Sequence, residues 1–295
     1  MLTNFKNGIS SLGMPVLGGQ LPSTTGNVWF VSSLIGSNGN VGNDPVAPKA
    51  TLAGAVAAAT ANNGDIVVVM PGHVETVSTA AYLTVSKAGL RFIGLGEGAK
   101  RPTFTWNATA SQIIVSGANT AFDNMRFDFT GIDAVVAAVS ITATDVSFTN
   151  CEVITNSASP GVVLGFVTAA TATRFRFENN FCYGPATNSG TTTTAVVKHE
   201  VGTDYVIRGN YFTGKMTQAI LNATAVLRGL IDSNRFVIAT GTKAIAMEAT
   251  STPFITNNRI NVPSGTTPIV CAAGFMAGNA YSAAAGVTAG VASTF

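Results

Sequence analysis

The chain is short of charge. Of its 295 residues only 10% are Asp, Glu, Lys or Arg, against about a quarter in an ordinary soluble domain. Its 16 basic and 14 acidic side chains are interspersed, which leaves no basic stripe to follow a phosphate backbone and argues against nucleic acid as a partner. Apolar runs of membrane length are missing too, so the expectation is a soluble chain with no membrane partner. The three cysteines, Cys151, Cys182 and Cys271, are odd in number and widely spaced. They make no disulfide framework and read as small core residues in a reducing cytoplasm. With neither a CxxC pair nor a His-rich cluster, no metal site and no cofactor is expected. The N-terminus carries one Lys before a stretch broken by Gly and Pro, a poor signal peptide.

What the chain does have is a short pattern repeated six times. An apolar leader is followed by a polar residue, a small turn residue, usually an Asn, one more residue and a second apolar one. The leaders are Phe122, Phe148, Phe177, Ile207, Ile231 and Ile255, at steps of 26, 29, 30, 24 and 24 residues. Five positions on stand Phe127, Val153, Cys182, Phe212, Phe236 and Ile260; three positions on, the last four copies carry Asn180, Asn210, Asn234 and Asn258. Steps of this size with apolar and turn positions in constant order are the mark of a solenoid. Equivalent residues of successive coils then stack at roughly 4.8 Å, giving an inner column of three Phe and three Ile. Asn amides stacked at a bend can hydrogen-bond along the column, which accounts for the four asparagines by shape with no ligand.

The outward positions support the same register. Asp123, Thr149, Glu178, Arg208, Asp232 and Thr256 form one line, with alternating charge at Glu178, Arg208 and Asp232. Arg126, Glu152, Phe181, Tyr211, Arg235 and Arg259 form another, in which Arg126 meets Glu152, Phe181 lies against Tyr211, and Arg235 above Arg259 is the one unfavourable pair. An exposed Phe181, Tyr211 patch means a subunit contact or a sugar platform, with the contact preferred.

Three regions separate along the chain. Residues 1–26 hold glycines, a Pro and no lasting period, and read as an arm for attachment or as a disordered segment. Residues 27–271 carry a strand-like NVWFVSS, a Gly/Asn/Pro-rich loop, an Ala-rich helix over about 50–61 stopped by Asn62, Asn63 and Gly64, a buried strand from Asp65 to Met70, and then the repeats. A helix at that point would cap the open end of the solenoid. Residues 272–295 lose the repeat, become rich in small residues, and read as a cap or an oligomerisation tail.

The strand, loop, Ala-rich helix and GDIVVVMPGHVET of Gly64 to Thr76 resemble the opening of pectate-lyase-like proteins, and the repeats from Phe122 to Ile260 resemble that family's later coils. The resemblance covers roughly residues 27–271 and implies an all-β, right-handed single-stranded parallel β-helix of about ten coils, near 50 Å long by strand spacing, with an N-terminal capping helix. The short arm ahead of the capping segment resembles proteins of tailed bacteriophage particles. That implies a virion component, assembled in the host cytoplasm and commonly a homotrimer.

The family's lyases hold calcium with acidic residues on one outer face and use an Arg or Lys as base, and its hydrolases cluster several Asp on adjacent coils. Here Asp123, Asp128, Asp145 and Glu152 are spread thin, and no outer acid recurs at one repeat position on three successive coils. In Lys198, His199 and Glu200 the first and third share a strand face while His199 points to the other, which reads as a solvated strand edge. His73, after Pro71 and Gly72, reads as a turn residue. The expectation is therefore a structural protein and no enzyme, with no catalytic residue: a homotrimeric capsid decoration protein anchored by its arm to the major capsid protein or another virion protein. The alternative is a tailspike-like polysaccharide-binding or depolymerase protein.

Overall fold

The computed structural model describes residues 10–11, 14–15, 24–131, 134–155, 163–184, 193–200, 202–239, 243–263, 267–283 and 290–294. The chain folds as a parallel β-solenoid with almost no helix. Each turn contributes a strand to three stacked faces. The first face runs from Val28–Val31 through Ile66–Val69, Arg91–Gly94, Ala121–Asp123, Ser147–Thr149 and Arg176–Glu178 to Thr252–Thr256 and Phe275–Ala283. The second runs from Val74–Val77 through Thr103–Trp106, Glu152–Ile154, Phe181–Tyr183 and Tyr211–Gly214 to Arg259–Val262. The third is a sheet of 8 strands from Leu83–Val85 to Ile269–Val270.

The eight strands of the third face make about seven turns, roughly 34 Å along that face by strand spacing. The expected ten coils are too many, because the end strands of the first face do not belong to complete coils. Val28–Val31 leads into a loop and a helix in place of two further strands, and Phe275–Ala283 is met by the antiparallel strand Gly290–Thr294.

The leaders occupy one internal column. Phe122 pairs in register with Phe148, Phe148 with Phe177, Phe177 with Ile207, Ile207 with Ile231, and Ile231 with Ile255. The column extends to Phe92 and Val67 before it and to Met276 after it. The phenyl rings of Phe92, Phe122 and Phe148 stack at 4.7 and 4.8 Å with their planes nearly parallel.

The corner between the first two faces takes two residues. The first adopts the left-handed conformation, at Asn124, Asn150, Asn179, Gly209, Ser233, Asn257 and Gly278; all but Ser233 are Asn or Gly, the types for which it costs least. The second points inward, and there the asparagines form a continuous ladder. Each backbone N–H donates to the Oδ1 of the next Asn: Cys151 to Asn180 (2.8 Å), Asn180 to Asn210 (2.8 Å), Asn210 to Asn234 (2.9 Å) and Asn234 to Asn258 (2.9 Å). A fifth rung, Asn258 to Asn279 at 3.0 Å, lies in the segment expected to have lost the repeat.

The GD and PG motif is structural in its local contacts. Asp65 accepts from the backbone of Asn27 and Thr60 and from the side chains of Trp29 and Asn63. Burial pushes its carboxyl up, but these donors win and hold it below the usual carboxylate range. Glu75 faces the interior and accepts from the Leu52 N–H at 2.6 Å, with His73 Nε2 at 2.9 Å. His73 is therefore a fully buried bridge to Glu75 and the Ser33 N–H, and not merely a turn residue.

The helix is Leu52–Ala58, shorter than the expected 50–61. Thr51 caps its start, Ala59 is already extended, and Lys87 Nζ takes the carbonyls of Ala57 and Ala59. Its buried Leu52, Ala55 and Val56 join the main core. At the outer edge of Val28–Val31 the loop, and not the helix, supplies the hydrogen bonds: Phe30 N–H to Gly42 O, Lys49 N–H to Phe30 O and Ser32 N–H to Lys49 O.

Candidate functional site

The second face carries the chemistry that the scaffold does not consume. Its strands alternate inward and outward, so Phe181 and Tyr183 emerge together with Cys182 buried between them. Tyr211 sits in register with Phe181 on the next turn. The rings of Phe181 and Tyr183 lie 4.9 Å apart and those of Phe181 and Tyr211 5.3 Å apart. Phe181 is 42% exposed, a large apolar surface facing solvent. Beyond it the Arg235 guanidinium lies over the Tyr211 ring at 5.0 Å, and Arg259 follows in register. The structure thus brings Phe181 and Tyr211 together. Tyr183 escaped the sequence reading, although it stands two residues after Phe181 on the same strand face.

On the other side of the aromatic trio, Glu152 accepts from Arg126 Nε at 2.7 Å and from the Tyr183 hydroxyl at 2.9 Å, with Arg101 at 3.8 Å. Burial, and then the hydrogen bond to Glu152, raise the Tyr183 phenol. The platform therefore ends in a carboxylate with two arginines and a phenol around it.

Asp123, Asp128, Asp145, Asp204 and Asp232 are all occupied. Asp123 accepts from Thr149 and Asn150, Asp128 from Thr130, and Asp232 from Thr256, Asn257 and Ser233. Asp145 pairs with Arg174, and Asp204 with Arg228. Lys198 pairs with Glu200 on the outside of the third face. No group of His, Cys, Asp and Glu suited to a metal ion exists among the described residues. No helix among them is long and apolar enough to cross a membrane.

His199 faces the interior, against Tyr205 with ring centroids 4.5 Å apart. Its Nδ1 meets Thr168 Oγ1 at 2.6 Å, and its Nε2 is buried without a hydrogen-bond partner. Burial depresses its pKa to about 4. The unfolded chain, titrating near 6.5, takes up the proton first as pH falls. Stability is therefore expected to drop between about pH 6.5 and 4, by about 3 kcal/mol at most. The His199→Gln variant should show a flatter Tm profile across that window in pH-resolved thermal melts; an unchanged slope would contradict the assignment.

Cys151 and Cys182 are fully buried, and burial pushes the Cys151 thiol up to about 12. Both are poor nucleophiles for that reason.

No family model matches this chain, and no curated protein does. Solved structures do. A structure titled "Rhamnogalacturonan lyase" superposes at a TM-score of 0.52 with 12% identity, covering 86% of this chain and 87% of that one. The crystal structure of pectate lyase Pel9A superposes at 0.54 with 14% identity, covering 90% and 78%. A phage protein, Geobacillus virus E2 ORF18, reaches only 0.27 with 11% identity over 75% and 53%, too loose a superposition to carry an argument.

At such identities the likeness is one of fold. It nonetheless overturns the expectation of no enzyme, since both well-superposed neighbours are polysaccharide lyases. Of the arm over residues 1–26, only 10–11, 14–15 and 24–26 are among the described residues, so the expected grip on a capsid protein lies almost wholly outside them.

Proposed function

We propose that this chain is a polysaccharide-binding rod of the depolymerase kind, engaging its glycan along the second face. The homotrimer and virion attachment expected from the sequence are the proposed setting of that activity. The observation that carries the reading is the outward aromatic trio of Phe181, Tyr183 and Tyr211, with the Glu152 cluster at one end and Arg235 at the other. Aromatic faces stack on the apolar faces of sugar rings, and neighbouring polar groups orient the hydroxyls. A flat sheet repeating every 4.8 Å or so offers equivalent contacts to successive sugars of a chain. Arg126, Glu152 and Tyr183 are the polar groups such a glycan meets at the end of the platform.

The test is affinity electrophoresis through gels containing a panel of polysaccharides, with release of shortened chains measured in parallel. The Phe181→Ala, Tyr211→Ala double variant should keep the wild-type Tm within a few degrees. It should bind about tenfold or more weakly, from about 0.5–1.5 kcal/mol per aromatic contact. Failure of every polysaccharide to retard the wild type, or equal retardation of the variant, would refute the reading.

A further inference from the structure

Arg235 and Arg259 present a problem that the fold does not solve. They are Cα partners on adjacent parallel strands, so their side chains leave the sheet side by side on the same face. Like charges directly opposed across two strands are destabilising. Neither forms an ion pair among the described residues, where Arg126, Arg174, Arg176, Arg208 and Arg228 all do. Both are exposed, and together they line a shallow groove of about 460 Å³ with Val237, Asn261, Ala280 and Tyr281. Among the described residues no carboxylate lines this groove.

One of the two guanidinium groups is also held in place. Arg235 lies over the Tyr211 ring, with its carbon 5.0 Å from the centroid. Stacking of this kind leaves the edge of the planar fork free to donate and reduces the rotamer freedom lost when it does. Asn261, next but one after Arg259 on the same strand, adds a side-chain amide to the wall.

We infer that the Arg235–Arg259 groove is a binding site for an oxyanion, a sulfate, phosphate or carboxylate group bridged by the two guanidinium forks. An anion between them converts the like-charge contact into two charge-assisted pairs, each able to be bidentate. It also enters from solvent without desolvating a buried charge. The inference shares Arg235 with the proposed glycan platform but does not rest on that reading. Inorganic sulfate serves as the probe.

The experiment is thermal unfolding of the full chain titrated with sodium sulfate at constant ionic strength, beside the Arg259→Gln and Arg235→Gln variants. Sulfate strengthens any fold slightly and without saturation, so the diagnostic is a saturable rise in Tm seen in the wild type and lost in both variants. Without sulfate, Arg259→Gln should match or exceed the wild-type Tm, because the repulsion is gone. Parallel dependence on sulfate in wild type and variants would overturn the site, as would a fall in the sulfate-free Tm of both variants. Gel retardation by a sulfated, a carboxylated and a neutral polysaccharide then separates the sources of the anion. Weakened retardation of Arg259→Gln by the charged polymers alone marks a charged polymer as the source, and unchanged retardation by all three marks a small free anion. If Phe181→Ala, which leaves Tyr211 under Arg235, weakens retardation by the neutral polymer while sulfate still stabilises it, the platform and the anion site are separate.

Discussion

Asn210→Ala is expected to lower stability by about 3–6 kcal/mol, with a Tm loss well beyond that of any surface change. Asn210 is 1% exposed and serves both neighbours in the ladder. Its Oδ1 accepts from the backbone N–H of Asn180 at 2.8 Å and from Asn180 Nδ2 at 3.0 Å. Its Nδ2 donates to Phe177 O at 2.7 Å and to Asn234 Oδ1 at 2.9 Å. Alanine removes all four bonds and leaves their partners buried, each costing about 1–3 kcal/mol when it finds no substitute. The sum falls short of four full penalties because water can enter the hole and because neighbouring bonds do not add independently. Asp should be worse than Ala: it keeps the acceptor but carries charge into a site with no cation. Urea unfolding of Asn210→Ala beside Asn258→Ala, closer to the C-terminal end of the ladder, provides the measurement. A cost under 1 kcal/mol at Asn210 would show that the ladder follows from the fold and does little to hold it.

The ladder also shows how far the sequence could be read. The leader, the Asn three positions on and the apolar residue five positions on recur because each must occupy one column, so the steps between copies are the lengths of whole turns. Met276, Asn279 and Tyr281 keep the same three and five offsets, but the small residues around them hide the pattern. The third face was not legible. Its strands follow the second face at no constant interval: one residue separates Gly214 from Met216, and nine separate Tyr183 from Thr193. The roles of Asp65, His73 and Glu75 were equally hidden, since their partners at Asn27, Ser33 and Leu52 lie far away in sequence. On the candidate face, Phe181 beside Tyr211 follows from the register. Tyr183 needed only strand alternation, and the Glu152 cluster needed the recruitment of Arg101, which belongs to no repeat.

Phe148→Ala is expected to cost about 3–5 kcal/mol, toward the upper end for a buried aromatic. Phe148 is fully buried and has four aromatic ring neighbours among the described residues. It stacks on Phe122 at 4.8 Å, meets Phe166 of the third face edge-on at 4.9 Å, and approaches Phe127 and Phe175 at 5.8 and 6.4 Å. Two terms add after truncation: the lost burial is constant for the residue, whereas the cavity term depends on whether the walls can close. Here they cannot, because the strand of Phe148 is hydrogen-bonded to a strand on each side and Phe166 is anchored in a different sheet. Collapse would require breaking register in one of them. Phe148→Leu fills most of the space and should recover more than half of the loss, while Ile255→Val, which removes one methyl from the same column, should cost about 0.5–1.5 kcal/mol. The comparison by urea unfolding is decisive for the packing argument. If Phe148→Ala costs no more than Ile255→Val, the aromatic column relaxes freely and the sheets do not hold the cavity walls apart.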